Sequence, residues 1–561
     1  MTPEQDRYWP QGLPRSLDVP KTSLFYNLEV AATRYPEKPA TVFYDSVLSY
    51  GELLAQVEHL AGYLQHECKV TPGDRVALYS QNCPQYVVAY YAILRAQAVV
   101  VPVNPMNLAD ELRYCVANSG ARTVLAAQEL FEQAHPLLNS GDIDSLIVHA
   151  YSDYLTEPTD VSVLDAVSVP RKALTAPGIA LWTDVLAREL SPAPFGGSHD
   201  DLCVIGYTSG TTGKPKGCVH THGSVMASVA GSAVWRGGSP AFSSLAIAPL
   251  FHFLGMQGGM NGPVYNGSTA VIMQRWDRDA ALKLIERHRV NMWSAPPSMI
   301  VDFFSNPDLG NHDVSSLFRL MGGGAAMPEA ISKRLKDEFG ISYNEAYGLT
   351  ETAAFILGNP VERGKRQCLG IASFGVDARI VNPGTLEELA QGETGEIILH
   401  GPQVMREYWC NPEATEKTFM ELDGKRFLRT GDLGYMDEEG YFFMVDRLKR
   451  MINASGFKVW PAEVESIMYG HPDIHEACVI GVPDVKRGET AKALVVLKPE
   501  ASTAITGDDI ITWCKKNMAA YKVPTGVEII DELPKSGTGK INWRQLLVAA
   551  RKEASCSGAV S

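Results

Sequence analysis

The chain has 561 residues, 45% of them hydrophobic and 20% charged, which is typical of a soluble globular protein of two or more domains. Its 50 basic and 64 acidic side chains give a formal net charge of −14, which argues against a general nucleic-acid-binding protein. The ten cysteines include no Cys-x-x-Cys pair, so the sequence predicts neither a zinc site nor a disulfide framework.

Short apolar runs alternate with longer helical patterns through the first half of the chain. The predicted strands are 74–79, 123–127, 145–149 and 270–273, and the predicted helices between them are 52–66 and 279–288. This alternation predicts an α/β architecture with mainly parallel sheets. The segment 151–201 is richer in Pro, Ser, Asp and Thr, and we expect it to be a partly structured surface excursion.

The most apolar stretch, Tyr86 to Val103, is interrupted by Arg95, Gln97 and Pro102. It is shorter than the roughly 20 residues that span a bilayer, so we interpret it as a helix followed by a buried strand. The N-terminus has no apolar signal core. We therefore expect a cytoplasmic protein without a transmembrane segment, and leave peripheral membrane contact and a homodimer open.

The loop Tyr-Thr-Ser-Gly-Thr-Thr-Gly-Lys-Pro-Lys-Gly, Tyr207 to Gly217, follows a predicted strand at 202–206. Glycines let backbone N–H groups approach an anion, hydroxyls donate to phosphate oxygens, and lysines supply charge. The order differs from the ordinary P-loop, because Thr208 stands where that pattern needs glycine and Pro215 follows the lysine. The sequence thus favours a polyphosphate site of another class, with a flexible surface loop as the alternative.

Two later motifs add candidate ligand groups. Met-Gly-Gly-Gly-Ala-Ala-Met-Pro at 321–328 follows an apolar strand, and its glycines permit close approach to a flat ligand, although a tight turn explains them equally well. In Tyr347-Gly-Leu-Thr-Glu351, the tyrosine offers a ring for a base, the threonine a hydroxyl for phosphate, and the glutamate a ligand for Mg²⁺. The alternative for this motif is an ordinary helix start.

Near residue 447 the pattern changes to that of a smaller α+β domain. Arg-Thr-Gly-Asp-Leu at 429–433 places a carboxylate in a predicted turn, where it could bind ribose hydroxyls or be an ordinary turn residue. The segment 446–458 concentrates charge, and 534–540 is a second Gly/Lys loop followed by a helical pattern at 542–552. We therefore predict an N-terminal domain of 1–446 and a C-terminal domain of 447–561.

The order and spacing of these motifs resemble the adenylate-forming superfamily, from about residue 25 to about residue 550. That superfamily includes acyl-CoA synthetases, aryl-CoA ligases, peptide-synthetase adenylation domains and firefly luciferase. The resemblance implies a large N-terminal α/β domain, a small mobile α+β domain, an active site between them, and the use of ATP, Mg²⁺ and coenzyme A.

The resemblance also implies a role for individual residues. The β- and γ-phosphates of ATP would be held by Thr208, Ser209, Gly210, Thr211, Thr212, Gly213, Lys214 and Lys216. The adenine would lie between Tyr347 and the backbone of Gly323, Gly324, Ala325 and Ala326. Thr350 and Glu351 would bind the α-phosphate and Mg²⁺, Asp432 and Arg447 would bind the ribose, and His252 would lie near the acyl carboxylate. Lys449 would lie at the hinge, and Gly456 and Lys458 would shape the pantetheine tunnel. Lys540 would bridge the carboxylate and the α-phosphate during adenylation.

The acid is less constrained by the sequence than the nucleotide. No acidic residue stands where an amino-acid ammonium group would need one, and no carrier domain follows Lys540, which favours a ligase acting on free coenzyme A. The expected pocket wall, 253–256, 322–327 and 353–354, is apolar and rich in small residues, which suits a medium- or long-chain fatty acid. The alternatives are an aryl or branched acid, transfer to a carrier protein or a luciferase-like oxidation, and a non-catalytic binding protein, against which Lys214, Glu351 and Lys540 argue.

Overall fold

A computed structural model describes residues 8–208, 214–323, 327, 329–454, 457–484, 488–499, 501, 505–535 and 541–557. The chain divides into two compact units. The larger unit comprises Met1–Asp377 and His400–Arg426, and the smaller comprises Ala378–Leu399 and Phe427–Ser561. The domain division at residue 446 predicted from the sequence stays a prediction.

The strands of the described residues are, in chain order, β1 Pro39–Phe43, β2 Ser46–Ser49, β3 Arg75–Tyr79, β4 Val99–Val103, β5 Thr123–Ala127, β6 Ser145–His149, β7 Ile179–Leu181, β8 Leu202–Tyr207, β9 Gly217–Thr221, β10 Ser243–Ala246, β11 Thr269–Ile272, β12 Met292–Ser294, β13 Arg319–Gly322, β14 Tyr343–Leu349, β15 Ala354–Gly358, β16 Ile371–Ala372, β17 Asp377–Val381, β18 Gly395–His400, β19 Glu407–Tyr408, β20 Phe419–Leu422, β21 Lys425–Met436, β22 Phe442–Arg447, β23 Ile452–Ala454, β24 Phe457–Val459, β25 Ile474–Asp484, β26 Gly488–Leu497 and β27 Gly526–Ile529.

The α-helices are Leu24–Arg34, Tyr50–His66, Pro84–Arg95, Ala109–Ser119, Phe131–Asn139, Asp165–Ser168, Trp182–Ala187, His222–Arg236, Phe253–Gly255, Gly262–Asn266, Arg278–Arg287, Pro297–Phe304, Glu329–Phe339, Pro412–Thr418, Pro461–Met468, Gly507–Asn517 and Trp543–Ser557. A π-helical segment covers Met256–Asn261, and 3-10 helices cover Gln128–Leu130, Tyr151–Tyr154, Pro307–Asn311, Thr350–Thr352 and Leu448–Arg450.

Two sheets form the framework of the larger unit. In its described part, one sheet has the order β16-β15-β14-β13-β12-β10-β11-β1-β2 and the other β19-β9-β8-β4-β3-β5-β6-β7. The pairings from β1 through β11, β10, β12 and β13 to β14 are parallel, as are those from β8 through β4, β3, β5 and β6 to β7. The predicted α/β class with mainly parallel sheets is confirmed.

The helices begin and end where local chemistry favours it. The helix Tyr50–His66 starts at a capping box, in which Ser49 accepts from the Glu52 backbone and Glu52 reaches back to the Ser49 backbone. Every residue of Pro84–Arg95 is buried, which explains why this helix and β4 together read as one apolar stretch. No helix among the described residues is long and apolar enough to cross a membrane.

The Pro- and Ser-rich segment 151–201 is partly structured, as predicted, and it also contributes to the sheet. Its strand β7 pairs with β6 at the sheet edge, and Trp182, which follows β7, is fully buried in the main core. The segment therefore contributes to the core, although its composition alone predicted a position on the surface.

The smaller unit contains two groups of antiparallel strands. β18 pairs with β21 and β21 with β22, while β23, β25 and β26 form a second sheet that β27 joins in parallel. The helices Pro461–Met468 and Gly507–Asn517 contribute Val464, Met468, Ile510 and Cys514 to a core beneath that second sheet. The described part of this unit is the α+β arrangement that the sequence predicts.

Three histidines of the larger unit are buried without a carboxylate in an ion pair. Burial lowers the pKa of His149 to about 3, and neither of its ring nitrogens has a hydrogen-bond partner among the described residues. Burial also lowers the pKa values of His220 and His222 to about 4 each. All three are therefore neutral in the folded protein near neutral pH, whereas each gains a proton below about pH 6.5 when unfolded.

Stability should consequently fall as the pH drops from about 6.5 towards 4, because the unfolded chain then binds protons that the folded chain cannot. We expect His149→Phe, which keeps a ring and removes the titrating group, to reduce the pH slope of the unfolding free energy by about 1.4 kcal/mol per pH unit in this window. Urea unfolding between pH 4 and 7 measures the slope. Replacement of the exposed His66 by Gln serves as control, and an unchanged slope in His149→Phe would contradict the assignment.

Candidate active site

The loop between Tyr207 and Gly217 is carried by an antiparallel hairpin. β8 and β9 pair up to Tyr207 and Gly217, and the Thr208 N–H donates to the Lys216 carbonyl at 2.9 Å. The Tyr207 hydroxyl donates to Asn118 at 2.7 Å, and the Tyr114 hydroxyl donates to the Pro215 carbonyl at 2.8 Å. Both ends of the loop are thus fixed. The predicted phosphate ligands Ser209, Gly210, Thr211, Thr212 and Gly213 lie outside the described residues.

The two lysines of this loop lie over aromatic rings. The Lys214 Nζ is 5.4 Å from the centre of the Tyr114 ring, and the Lys216 Nζ is 3.9 Å from the centre of the Tyr408 ring. Neither lysine forms an ion pair with a carboxylate of the described residues. Cation–π contacts orient the ammonium groups without cancelling their charge, so both remain available for an anion.

Tyr408 connects this loop to the Tyr-Gly-Leu-Thr-Glu motif. It lies on β19, which pairs with β9, and its hydroxyl donates to the Glu351 Oε1 at 2.7 Å. The Met405 N–H donates to the Glu351 carbonyl at 2.7 Å. Within the described residues the Glu351 Oε2 has no partner, so one carboxylate oxygen stays available. The sequence motifs around Lys216 and Glu351 therefore meet at one tyrosine.

The His252 segment lies against the same strands. A Cβ added to Gly206 would lie 2.6 Å from the Phe253 ring and 3.4 Å from the Thr350 methyl group, so only glycine fits here. The His220 Nε2–H donates to the Thr350 carbonyl at 2.8 Å. The His252 Nδ1 accepts from the Leu254 N–H at 3.3 Å and caps the short helix Phe253–Gly255. Thr350 and the residue after His252 are thereby neighbours.

The predicted adenine residues lie at the ends of neighbouring parallel strands. Tyr347 is buried on β14, and a Cβ added to Gly323, which follows β13, would lie 2.2 Å from the Ala346 carbonyl oxygen. Glu345 holds this region: its carboxylate accepts from the backbone of Met327 at 2.8 Å and of Cys368 at 3.0 Å, and burial raises its pKa. Gly324, Ala325 and Ala326 lie outside the described residues.

Within the smaller unit, Asp432 and Arg447 lie opposite each other. They are cross-strand partners on β21 and β22, and the Arg447 Nε is 3.0 Å from the Asp432 Oδ1. The sequence interpretation of Asp432 as a turn residue was wrong. It lies inside β21, next to Gly431, whose φ of +69° introduces a local irregularity.

Two of the other predicted residues of this unit, Lys449 and Lys458, lie among the described residues. Lys449 lies in the 3-10 helix Leu448–Arg450, and Lys458 pairs with Asn453 across β23 and β24. Gly456 and Lys540 lie outside the described residues. The described residues on either side of Lys540, Lys535 and Ile541, form an antiparallel bridge.

Sequence reasoning missed Tyr408 and Glu345. No local motif distinguishes Tyr408, since it contacts Lys216 and Glu351 only through the pairing of β19 with β9. Glu345 could have been noticed as a carboxylate two residues before Tyr347 in a strand that also buries Asn344 and Tyr347. A buried carboxylate needs donors, and two backbone N–H groups supply them here.

Comparisons with known proteins identify the family of the chain. Residues 28–409 match the family described as AMP-binding enzyme, and residues 463–540 match the AMP-binding enzyme C-terminal domain. A Bacillus subtilis protein named long-chain-fatty-acid–CoA ligase is 34% identical over 548 residues, 96% of this chain and 96% of that protein.

Two solved structures are similar over nearly their whole length. The anthranilate CoA ligase AuaEII in complex with anthranoyl-AMP has a TM-score of 0.83 at 25% identity, covering 97% of this chain and 99% of that one. ATP-bound MatB from Rhodopseudomonas palustris has a TM-score of 0.82 at 26% identity, covering 94% and 99%. The chain belongs to the AMP-binding enzyme family.

Proposed function

We propose that this protein is an acyl-CoA synthetase, which activates a carboxylic acid with ATP to an acyl-AMP and then transfers the acyl group to coenzyme A. The observation that carries the proposal is that Lys216 contacts the ring and Glu351 the hydroxyl of one residue, Tyr408. A cation for phosphate and a carboxylate for a divalent ion are thereby held together at the end of a Gly/Ser/Thr loop.

The first half-reaction joins two anions, and the residue types fit that difficulty. Attack of a carboxylate on the α-phosphorus of ATP builds negative charge, which fixed cations and hydrogen-bond donors stabilise. Thr350 would donate to the α-phosphate, His252 would lie at the acyl carboxylate, and Lys540 would bridge both as a point charge rather than as a base. Lys214 and Lys216 would hold the pyrophosphate that leaves.

The residues also fit a bound Mg²⁺. The Glu351 Oε2 has no partner in the described part of the chain, while Oε1 is oriented by Tyr408. No group of three or more His, Cys, Asp or Glu able to hold a metal occurs among the described residues. Glu351 together with substrate phosphates is the ligand set that Mg²⁺ prefers, and the ion would neutralise phosphate charge there.

The smaller unit would supply the remaining groups. Asp432 and Arg447 would bind the ribose, since the ion pair holds an Asp432 carboxylate oxygen in a fixed position. For the second half-reaction we propose that the small domain turns about Lys449, so that Gly456 and Lys458 line a channel for the pantetheine thiol. One site would then perform two reactions by domain rearrangement.

For the acid we propose a medium- or long-chain fatty acid. The support is the name of the Bacillus subtilis relative, together with the burial of Phe253, Met256 and Ala353 next to the assigned carboxylate position. The alternative is an aryl acid, which the similarity to the anthranilate CoA ligase supports. A cytoplasmic location is supported by the thiols, since six buried cysteines of the described residues form no disulfide: Cys83, Cys115, Cys203, Cys218, Cys478 and Cys514.

Acid-dependent thioester formation tests the function directly. We expect purified protein with ATP, Mg²⁺ and coenzyme A to form acyl-CoA from straight-chain monocarboxylic acids, detected by mass spectrometry across graded chain lengths. Benzoate- and cinnamate-type acids in the same panel test the aryl alternative. Acyl-AMP without thioester for every acid offered would show that the acceptor is not free coenzyme A.

The role of Tyr408 can be separated into its two contacts. Tyr408→Phe keeps the ring below Lys216 and removes the hydrogen bond to Glu351, so we expect a several-fold rise in the Mg²⁺ concentration for half-maximal activity with little change in the KM for ATP. Tyr408→Leu removes both contacts and should raise both values. Identical Mg²⁺ titrations for wild type and Tyr408→Phe would show that Tyr408 does not orient Glu351.

Lys540 is expected to act in one half-reaction. Lys540→Ala should lower acyl-AMP formation from acid and ATP by at least about 100-fold, because the charge that bridges carboxylate and α-phosphate is lost. Thioester formation from supplied acyl-AMP should be nearly unchanged. Equal losses in the two half-reactions, measured separately by single-turnover kinetics, would contradict the domain-rearrangement proposal.

A further inference from the structure

A small cavity lies in the larger unit and is lined in part by Gln257 and Gly258, which follow His252 in the chain. It has a volume of about 30 Å³ and is lined by the last turns of the helix His222–Arg236, the π-helical segment and β12. A water molecule needs roughly 10–15 Å³ of such space, so the cavity has room for about two waters or one carboxylate group. Its size suits the end group of a substrate.

The most unusual residue of this cavity is Arg236. Its Nη1 donates to the Ser294 hydroxyl at 3.0 Å, and its Nε is buried without a partner among the described residues. No carboxylate in the described part of the chain forms an ion pair with it. Burial lowers the pKa of Arg236 to about 10, and no neighbouring acid counteracts this effect. The side chain is therefore a cation without a counter-ion.

The C-terminal end of the helix compensates only part of the positive charge of Arg236. Arg236 is the last residue of its helix, where the helix dipole provides a partial negative charge of about one half. The Arg236 side chain is half-buried, but its Nε is buried without a described partner and still needs an acceptor, since a buried donor is costly unless it is hydrogen-bonded.

The other lining side chains provide hydroxyls and amides but no acid. Five serines, Gln257 and Asn266 line the described cavity, and no Asp or Glu does. Gln257 is already engaged, since it donates to the Ala353 carbonyl at 3.1 Å and accepts from Asn261 at 3.0 Å. Trp293 also lines the cavity, and its indole Nε1 is a second buried donor without a partner in the described structure. The site has a surplus of donors and positive charge.

The cavity shares its walls with the site. Gln257 and Gly258 follow His252 in the same helical segment, and Ser294 on β12 pairs with Met321 on β13. A Cβ added to Gly258 would lie 3.0 Å from the Ser294 Oγ and 3.8 Å from the Arg236 Nη1, so this helical segment borders the Arg236 side of the cavity. An acyl chain that starts at His252 and follows this helical segment to Gly258 would therefore lead towards Arg236.

We propose that the cavity binds a carboxylate at the far end of the acyl substrate, so that the preferred acid carries a second carboxylate besides the one that is activated. The proposal rests on the acyl-CoA synthetase function and narrows its substrate class to α,ω-dicarboxylic acids. The guanidinium and the Ser294 hydroxyl pair with the distal carboxylate, which supplies both the counter-charge and the acceptor for Nε. Water molecules are the competing occupants.

The test compares α,ω-dicarboxylic acids with monocarboxylic acids of the same chain length, using ATP-, Mg²⁺- and CoA-dependent thioester formation by the full chain. We expect kcat/KM to be at least about tenfold higher for a dicarboxylic acid at one chain length or a narrow range of lengths, because a charge-assisted pair adds binding there. Arg236→Met should raise the KM for that diacid at least about tenfold and leave or lower the KM for the matched monoacid. Arg236→Lys keeps the positive charge but loses the bidentate guanidinium, so its KM for the diacid should lie between those of the wild type and Arg236→Met.

Arg319→Met is the matched control. Arg319 is a half-buried arginine at the start of β13 whose Nε also lacks a described partner, and it does not line the cavity. We expect Arg319→Met to leave the ratio of kcat/KM for the diacid to kcat/KM for the monoacid unchanged. A wild-type preference for monoacids at every length, or an equal loss of both acids in Arg236→Met, would overturn the proposal and assign the cavity to water. Absence of thioester from every acid of both kinds would instead contradict the synthetase function itself.

Discussion

The site of the larger unit depends on the hydrogen bond from the Tyr408 hydroxyl to the Glu351 carboxylate, 2.7 Å long and partly buried. Burial and the adjacent carboxylate both raise the pKa of Tyr408, so the phenol remains a donor at all physiological pH values. Because Tyr408 sits on β19 beside β9, this bond ties the Thr-Glu motif to the hairpin that carries Lys216. It acts together with the bonds from the Met405 N–H to the Glu351 carbonyl and from His220 to the Thr350 carbonyl, which also join the two sheets here.

Positive charge is concentrated at particular positions in the larger unit. The chain carries a formal net charge of −14, so an anionic nucleotide must be attracted locally rather than by the whole protein. Lys214 and Lys216 provide that local charge over aromatic rings, where no described carboxylate cancels it. Arg236 repeats the same principle deeper in the unit, as a cation facing a cavity without acids. The protein thus has two separate sites of positive charge. Lys214 and Lys216 suit a polyphosphate, and Arg236 suits a distal carboxylate.

The sequence predicted those parts of the fold and site that are encoded by consecutive residues. Strands such as Thr123–Ala127 and Ser145–His149 were predicted with their exact ends, because buried parallel strands are continuous apolar runs. Tyr408, Glu345 and Arg236 were missed, since their importance arises from contacts between distant segments. Asp432 was misplaced in a turn because the adjacent Gly431 resembles a turn glycine, although it lies within a long strand.

The proposed function depends on the formation of acyl-AMP before coenzyme A takes part. The most direct measurement is isotope exchange between labelled pyrophosphate and ATP in the absence of coenzyme A. We expect exchange that requires both Mg²⁺ and a carboxylic acid, because adenylation is then reversible and stops at the bound acyl-AMP. Exchange that is absent with every acid giving thioester, or that appears only when coenzyme A is added, would contradict it.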